Sequence, residues 1–182
     1  PAFSGELEDF FAWLDQTPPE ALTPDFSQPA ALIAVLCATP AVCDYFGRRL
    51  SPEAWRIRPA PGEWAPVEIL AHLRDVEAEV NLPRIEKILS RDNPFLAGMD
   101  TDPWAESRQY IDQDGPQALQ DFIAARMRVL ALLRALEPQD WSRQARHAIL
   151  GPTKLSELIN IGASHDRLHI RQLHQTLAQT SE

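Results

Sequence analysis

Apolar side chains in this chain recur every three or four residues over long stretches, and the alternating Val/Ile/Thr runs that a sheet requires are missing. That period restricts the chain to helices that bury one face each. Four stretches carry it. The first covers residues 30–50, where Thr39 and Pro40 read as an N-cap followed by an N1 proline and predict a break or kink. The second covers residues 66–90, with Ile69, Leu73, Val76 and Val80 in a narrow stripe and Pro83 expected to bend it. The third opens at Asp114-Gly115-Pro116 and ends near Leu136, and the fourth follows the Gly151-Pro152-Thr153 turn and covers residues 155–178. The connections are the proline-rich residues 17–29, a turn at 59–62, an irregular stretch over 91–113 and a short extended piece at 146–150. Leu7, Phe10, Phe11 and Leu14 add a short amphipathic pattern near the start. The reading is all-α: one four-helix-bundle domain over residues 1–182, with residues 1–29 as an extension carrying a short extra helical segment.

The net charge of −9 argues against a nucleic-acid partner, because phosphate binding needs a concentrated positive surface. Basic residues such as Arg48, Arg49 and Arg143 are scattered among acids. No apolar run approaches the roughly 18 residues needed to cross a bilayer, and no secretory pattern opens the chain. The expectation is a cytoplasmic protein without a membrane partner. Cys37 and Cys43, six apart, point to different sides of a helix and read as small buried hydrophobes, neither bridged nor metal-bound.

Five histidines carry the chemical information. His165 and His169 are four apart on the last helix, so they lie about 40° from each other and one turn apart. Leu155, Leu158, Ile159, Gly162 and Leu173 share their side, which is the face a bundle buries. Two imidazoles at this spacing can reach one ion. The same spacing also serves hydrogen-bonded core histidines or a wet edge. His72, at the margin of the second helix's apolar stripe, tips the choice by supplying a third imidazole. Three ligands leave a position open for catalysis. His174 falls on the opposite face of the last helix and His147 in a loop, so both are expected at the surface. Asp166 points to the core, where a carboxylate needs a partner: a ligand histidine, Arg74 or Arg126. A structural role, or a hydrogen bond to a ligand histidine, suits it better than direct ligation. Glu79 and Glu68, on nearly the same side as His72, are weaker candidates for the same supporting role or for a general base.

The stretch from Pro61 to Glu77, with Gly62, Glu63, Trp64, His72 and Asp75, resembles the second-helix signature of the DinB-like, YfiT-type superfamily. Gly151-Pro152-Thr153-Lys154-Leu155, followed by His165, Asp166, His169, Gln172 and Leu173, is similar to its last-helix signature, and Arg126 and Trp141 suit its layout. The resemblance runs from about Ala30 onward. It implies an up-down-down-up bundle and a metal site made of His72, His165 and His169. It further implies zinc or nickel as the ion, and frequent homodimers. Members of that superfamily include thiol S-transferases that use bacillithiol or mycothiol, a mycothiol-dependent isomerase, and metal-dependent hydrolases without an assigned substrate. Two departures stand out. Ala65 occupies a helix-start position that is often Ser, losing a cap worth about 1 kcal/mol. Residues 1–29 have no clear counterpart.

The expected function is therefore a metal-dependent enzyme acting on a small molecule, either a hydrolase or a thiol S-transferase, with a divalent ion activating water or a low-molecular-weight thiol. Arg74, Arg126 and Arg167 are the candidates to attract an anionic thiol. The rival readings are a non-catalytic metal-binding or stress-related bundle, and a bundle that binds no metal. Trp104 and Phe95, in the irregular stretch, are expected to line or cover the pocket.

Overall fold

The computed structural model describes residues 27–180. The amphipathic pattern at Leu7 to Leu14 lies outside the described residues. The fold is a four-helix bundle in up-down-down-up order, with a small three-stranded sheet at its margin.

The first bundle helix is α1 (Pro29–Gly47). It continues through Pro40 without the break its sequence suggests. Proline has no N–H, so the Leu36 carbonyl four residues earlier loses its intrahelical donor. Arg126 supplies the substitute, with Nη1 donating to that carbonyl at 3.1 Å. Thr39 is no N-cap: its hydroxyl lies mid-helix, 3.1 Å from the Val35 carbonyl and 2.8 Å from Asp166 Oδ2. α1 is also long and apolar enough to cross a membrane by length and composition, with a mean hydropathy of 1.7, contrary to the sequence expectation. Here Leu32, Leu36, Thr39, Pro40 and Cys43 are buried as its inward face.

The second bundle helix is composite. α2 (Pro66–Asp75) passes into a π turn (Val76–Asn81) and then into α3 (Leu82–Ser90). The interruption expected at Pro83 thus falls just before it, where the Leu82 N–H reaches back five residues to the Glu77 carbonyl. The start of α2 recovers part of what Ala65 lacks. Glu68 accepts the Ala65 N–H at 2.9 Å and is itself gripped by Arg58 through both carboxylate oxygens.

The irregular stretch forms β1 (Phe95–Leu96), the short α4 (Trp104–Ser107) and a 3₁₀ turn (Tyr110–Asp112). α5 (Gly115–Arg134) is the third bundle helix, its N-terminus capped by Asp114 accepting from Gln117 N–H at 2.9 Å. β2 (Gln144–His147) and β3 (Gly151–Lys154) form a hairpin, and β1 pairs parallel to β2. The sequence reading of residues 146–150 as extended is thereby corrected: residues 148–150 are the hairpin turn, and the Gly151-Pro152-Thr153 turn is strand. The last helix is α6 (Leu155–Thr180).

Two apolar clusters fill the bundle. One gathers Leu32, Leu36, Ile85, Val129, Leu133 and Ile159. The other gathers Cys43, Trp55, Ile69, Leu73, Phe122 and Leu173. Along each helix the residues between the clusters are polar and buried: Thr39 on α1, Glu77 in the π turn, Arg126 on α5, and Asp166 and His169 on α6. A polar layer therefore crosses the bundle between two apolar halves.

Candidate metal centre

His72 lies on α2 one turn before the π turn. His165 and His169 lie one turn apart on α6. The packing of α2 against α6 brings the three rings together. His165 Nε2 is 3.1 Å from His72 Nε2 and 3.1 Å from His169 Nε2. Ring centroids are 4.4 to 5.2 Å apart. One ligand atom from each residue falls within a 4.8 Å group. Burial, with neighbouring imidazoles second, pushes His72 down to about 3 and His165 down to about 4. Burial also holds His169 below the ordinary imidazole value, against a hydrogen bond to Gln172 and the charge of Asp166. The rings are therefore neutral at pH 7, the state in which imidazole ligates.

Trp64 walls the cluster. Its indole stacks on the His169 ring, 4° from parallel with centroids 5.9 Å apart, and inclines over His72 at 5.0 Å. His169 Nδ1 and Gln172 Oε1 are 2.9 Å apart, one turn along α6. His72 Nδ1 is buried without a hydrogen-bond partner among the described residues.

Beside the cluster stands the polar layer. Arg126, 1% exposed, donates Nε–H to Glu77 Oε1 and both terminal nitrogens to Asp166. Asn81 donates to the second Glu77 oxygen at 2.8 Å. One buried cation thus faces two buried carboxylates, a balance of one net negative charge next to a histidine cluster able to take a cation.

The supporting residues follow the sequence reading in one place and differ from it in several. Asp166 pairs with Arg126, as the sequence allows, and with Thr39; among the described residues it makes no hydrogen bond to a histidine, the other option the sequence left. Glu79 is also corrected: its side chain is half-exposed and bound to Arg108 at 2.5 and 3.0 Å, not to His72. The π turn is the cause, since it winds the chain more slowly than 100° per residue and carries Glu79 off the His72 side. Glu68 serves the α2 N-terminus. Arg74 and Arg126 are spent on Asp75 and on the buried pair, so neither offers positive charge to an anionic thiol. His147 is buried in β2 rather than exposed, with Nδ1 accepting the N–H groups of Ile149 and Leu150 to close the hairpin. His174 is exposed beside Phe46. Cys37 and Cys43 are free thiols, and burial followed by the charge of Asp166 pushes Cys43 up to about 12.

Trp104 packs with Ala71, Tyr110 and Ala118 under the Arg108 guanidinium, and Phe95 is half-exposed. Neither makes a ring contact with the histidines. The irregular stretch is instead pinned to the second bundle helix. Asp75 accepts from Tyr110 at 2.8 Å, Arg108 at 2.6 Å and Arg74 at 2.7 Å. Burial alone would raise the Asp75 carboxyl, but these three donors hold it below its ordinary value.

A bundle with three converging imidazoles defines a class, and the comparisons assign it. The model for the DinB superfamily matches residues 38–173, and the chain belongs to that superfamily. An Oceanobacillus iheyensis protein named "Putative metal-dependent hydrolase OB0782" is 27% identical over 112 residues, which are 62% of this chain and 64% of that protein. The chain thus matches a little under two thirds of that relative's length. YfiT from Bacillus subtilis, described as "a probable metal-dependent hydrolase with an unusual four-helix bundle topology", aligns with a TM-score of 0.76. That alignment covers 91% of this chain and 93% of YfiT at 20% identity, a likeness of fold.

Proposed function

We propose that this protein is a metal-dependent hydrolase of small molecules, with His72, His165 and His169 holding one divalent ion, zinc or nickel. The observation that carries the reading is the convergence of three neutral imidazoles, with His165 Nε2 3.1 Å from the Nε2 atoms of both His72 and His169 and all three ligand atoms within 4.8 Å of one another. Metal–nitrogen bonds of about 2.0–2.1 Å set neighbouring ligand nitrogens about 2.9–3.4 Å apart around a tetrahedral or octahedral ion. The two spacings from His165 lie inside that range. The net negative charge of the Arg126–Glu77–Asp166 group favours a cation nearby. The names carried by the two relatives support the same activity.

When bound, such an ion supplies a water acidic enough to attack an ester or amide carbon near neutral pH. The chain's own residues set the conditions for it. Trp64 covers the His169 and His72 flank with an apolar face, which keeps bulk water from that side. Gln172 and Trp64 hold the His169 ring. His165 is less buried than the other two histidines and marks the side open to substrate. The protein acts as a homodimer in this reading.

The test begins with protein purified without a metal-binding tag and analysed by elemental mass spectrometry beside His169→Ala. About one equivalent of zinc or nickel, lost in the variant, is expected, followed by metal-dependent turnover in a panel of activated esters and amides. No metal, and none taken up on reconstitution, sinks the proposal. Turnover that requires an added low-molecular-weight thiol and an electrophile would reassign the chemistry to thiol transfer.

A further inference from the structure

The Nε2 atoms of His165 and His169 face each other at 3.1 Å, and this creates a competition. A neutral imidazole carries one N–H, on Nδ1 or on Nε2. With the proton on Nε2, His169 would donate to His165 and form a satisfied pair that binds no ion. With the proton on Nδ1, its Nε2 lone pair is free to ligate. The difference between these states is one hydrogen bond at the outer nitrogen. That nitrogen lies 2.9 Å from Gln172 Oε1, a carbonyl oxygen that only accepts. His72 has no such partner, because its Nδ1 is buried and unpaired among the described residues.

We infer that Gln172 is a positioning residue that selects the His169 tautomer able to bind a cation. The inference deepens the metal reading above. Gln172 acts on the ion only through His169, and it is half-buried at helical spacing from that ring, so its loss leaves the bundle core intact.

The test uses the metal-free full chain as wild type, Gln172→Leu and Gln172→Glu. Long-range ¹H–¹⁵N spectra report which His169 nitrogen carries the proton, and competition with a chromophoric chelator reports zinc affinity. Wild type should show the proton on Nδ1. Gln172→Leu should shift population toward the Nε2–H form and bind zinc about 10–100-fold more weakly, with an unchanged metal-free thermal midpoint. Gln172→Glu, which keeps an acceptor, should restore both properties. An Nε2–H His169 in the wild type, or wild-type affinity in Gln172→Leu, overturns the inference. Absence of zinc binding by the wild type would overturn the metal reading instead, while the wild-type spectrum still decides the tautomer.

Discussion

Replacing Arg126 by Met keeps much of the side chain's length and removes the one cation in the polar layer. Glu77 and Asp166, 2% and 1% exposed, would keep only Asn81 and Thr39 as neutral partners. The Leu36 carbonyl would lose the donor that stands in for the missing Pro40 N–H. Removing one partner of a buried ion pair costs about 3–5 kcal/mol. Because one guanidinium here serves two carboxylates, the upper end applies, about 5 kcal/mol. At about 2–4 °C per kcal/mol for a chain of this size, the thermal midpoint should fall by about 10–20 °C. Arg126→Lys keeps the charge and loses the planar fork, so about half that loss is expected. The assay is urea unfolding followed by tryptophan fluorescence and circular dichroism, with the slope on urea checked for constancy. In the neutral triple variant Arg126→Met, Glu77→Gln, Asp166→Asn, most of the stability should return, because no charge is left buried alone. An Arg126→Met protein within about 1 kcal/mol of wild type would refute the reasoning, since it would mean that the carboxylates are satisfied without the guanidinium.

The histidine cluster makes the metal-free protein acid-sensitive. His72 and His165 are held near about 3 and about 4, below the unfolded value of about 6.5, so the unfolded state gains protons first as pH falls. Stability should be full above about pH 6.5 and decline toward pH 4. In His72→Gln the dependence of unfolding free energy on pH should flatten by about 1.4 kcal/mol per pH unit in that window, measured by urea midpoints at stepped pH. Gly115→Ala would set a Cβ 2.2 Å from Trp55 Cε3, too close for any side chain, and should destabilise by about 1–3 kcal/mol; an unchanged thermal midpoint would argue against the tight approach of α5 to Trp55. Tyr110→Phe removes one of three hydrogen bonds to Asp75 and should lower stability by about 1 kcal/mol in the same assay.

The helices and the three histidines were legible because both follow from one rule, 100° per residue on a straight helix. Misreadings gather where that rule or its locality fails. Glu79 was placed beside His72 by a straight helical wheel, and the π turn moves it. Glu77, a central member of the buried charge group, carries no local signal, because its partner Arg126 lies on another helix. Pro40 looked like a helix start because its local signal is a start signal; its rescue comes from Arg126, 86 positions away. His147 looked like a surface residue because a four-residue strand leaves little periodic trace. Gln172 was within reach of sequence reasoning, three residues after His169 on the same face.

The π turn between Val76 and Asn81 also bears on how the chain tolerates changes in length. A π turn holds one residue more than an α turn over the same span, so α2 and α3 on either side already accommodate an insertion. Removing one residue from Glu79 to Asn81 would let the stretch close as ordinary α-helix while α2 and α3 keep their faces. A single deletion in the regular part of α5 has no such slack and would turn the rest of that helix by about 100°. The second bundle helix should therefore tolerate a one-residue change in length without His72 losing its alignment with the α6 histidines.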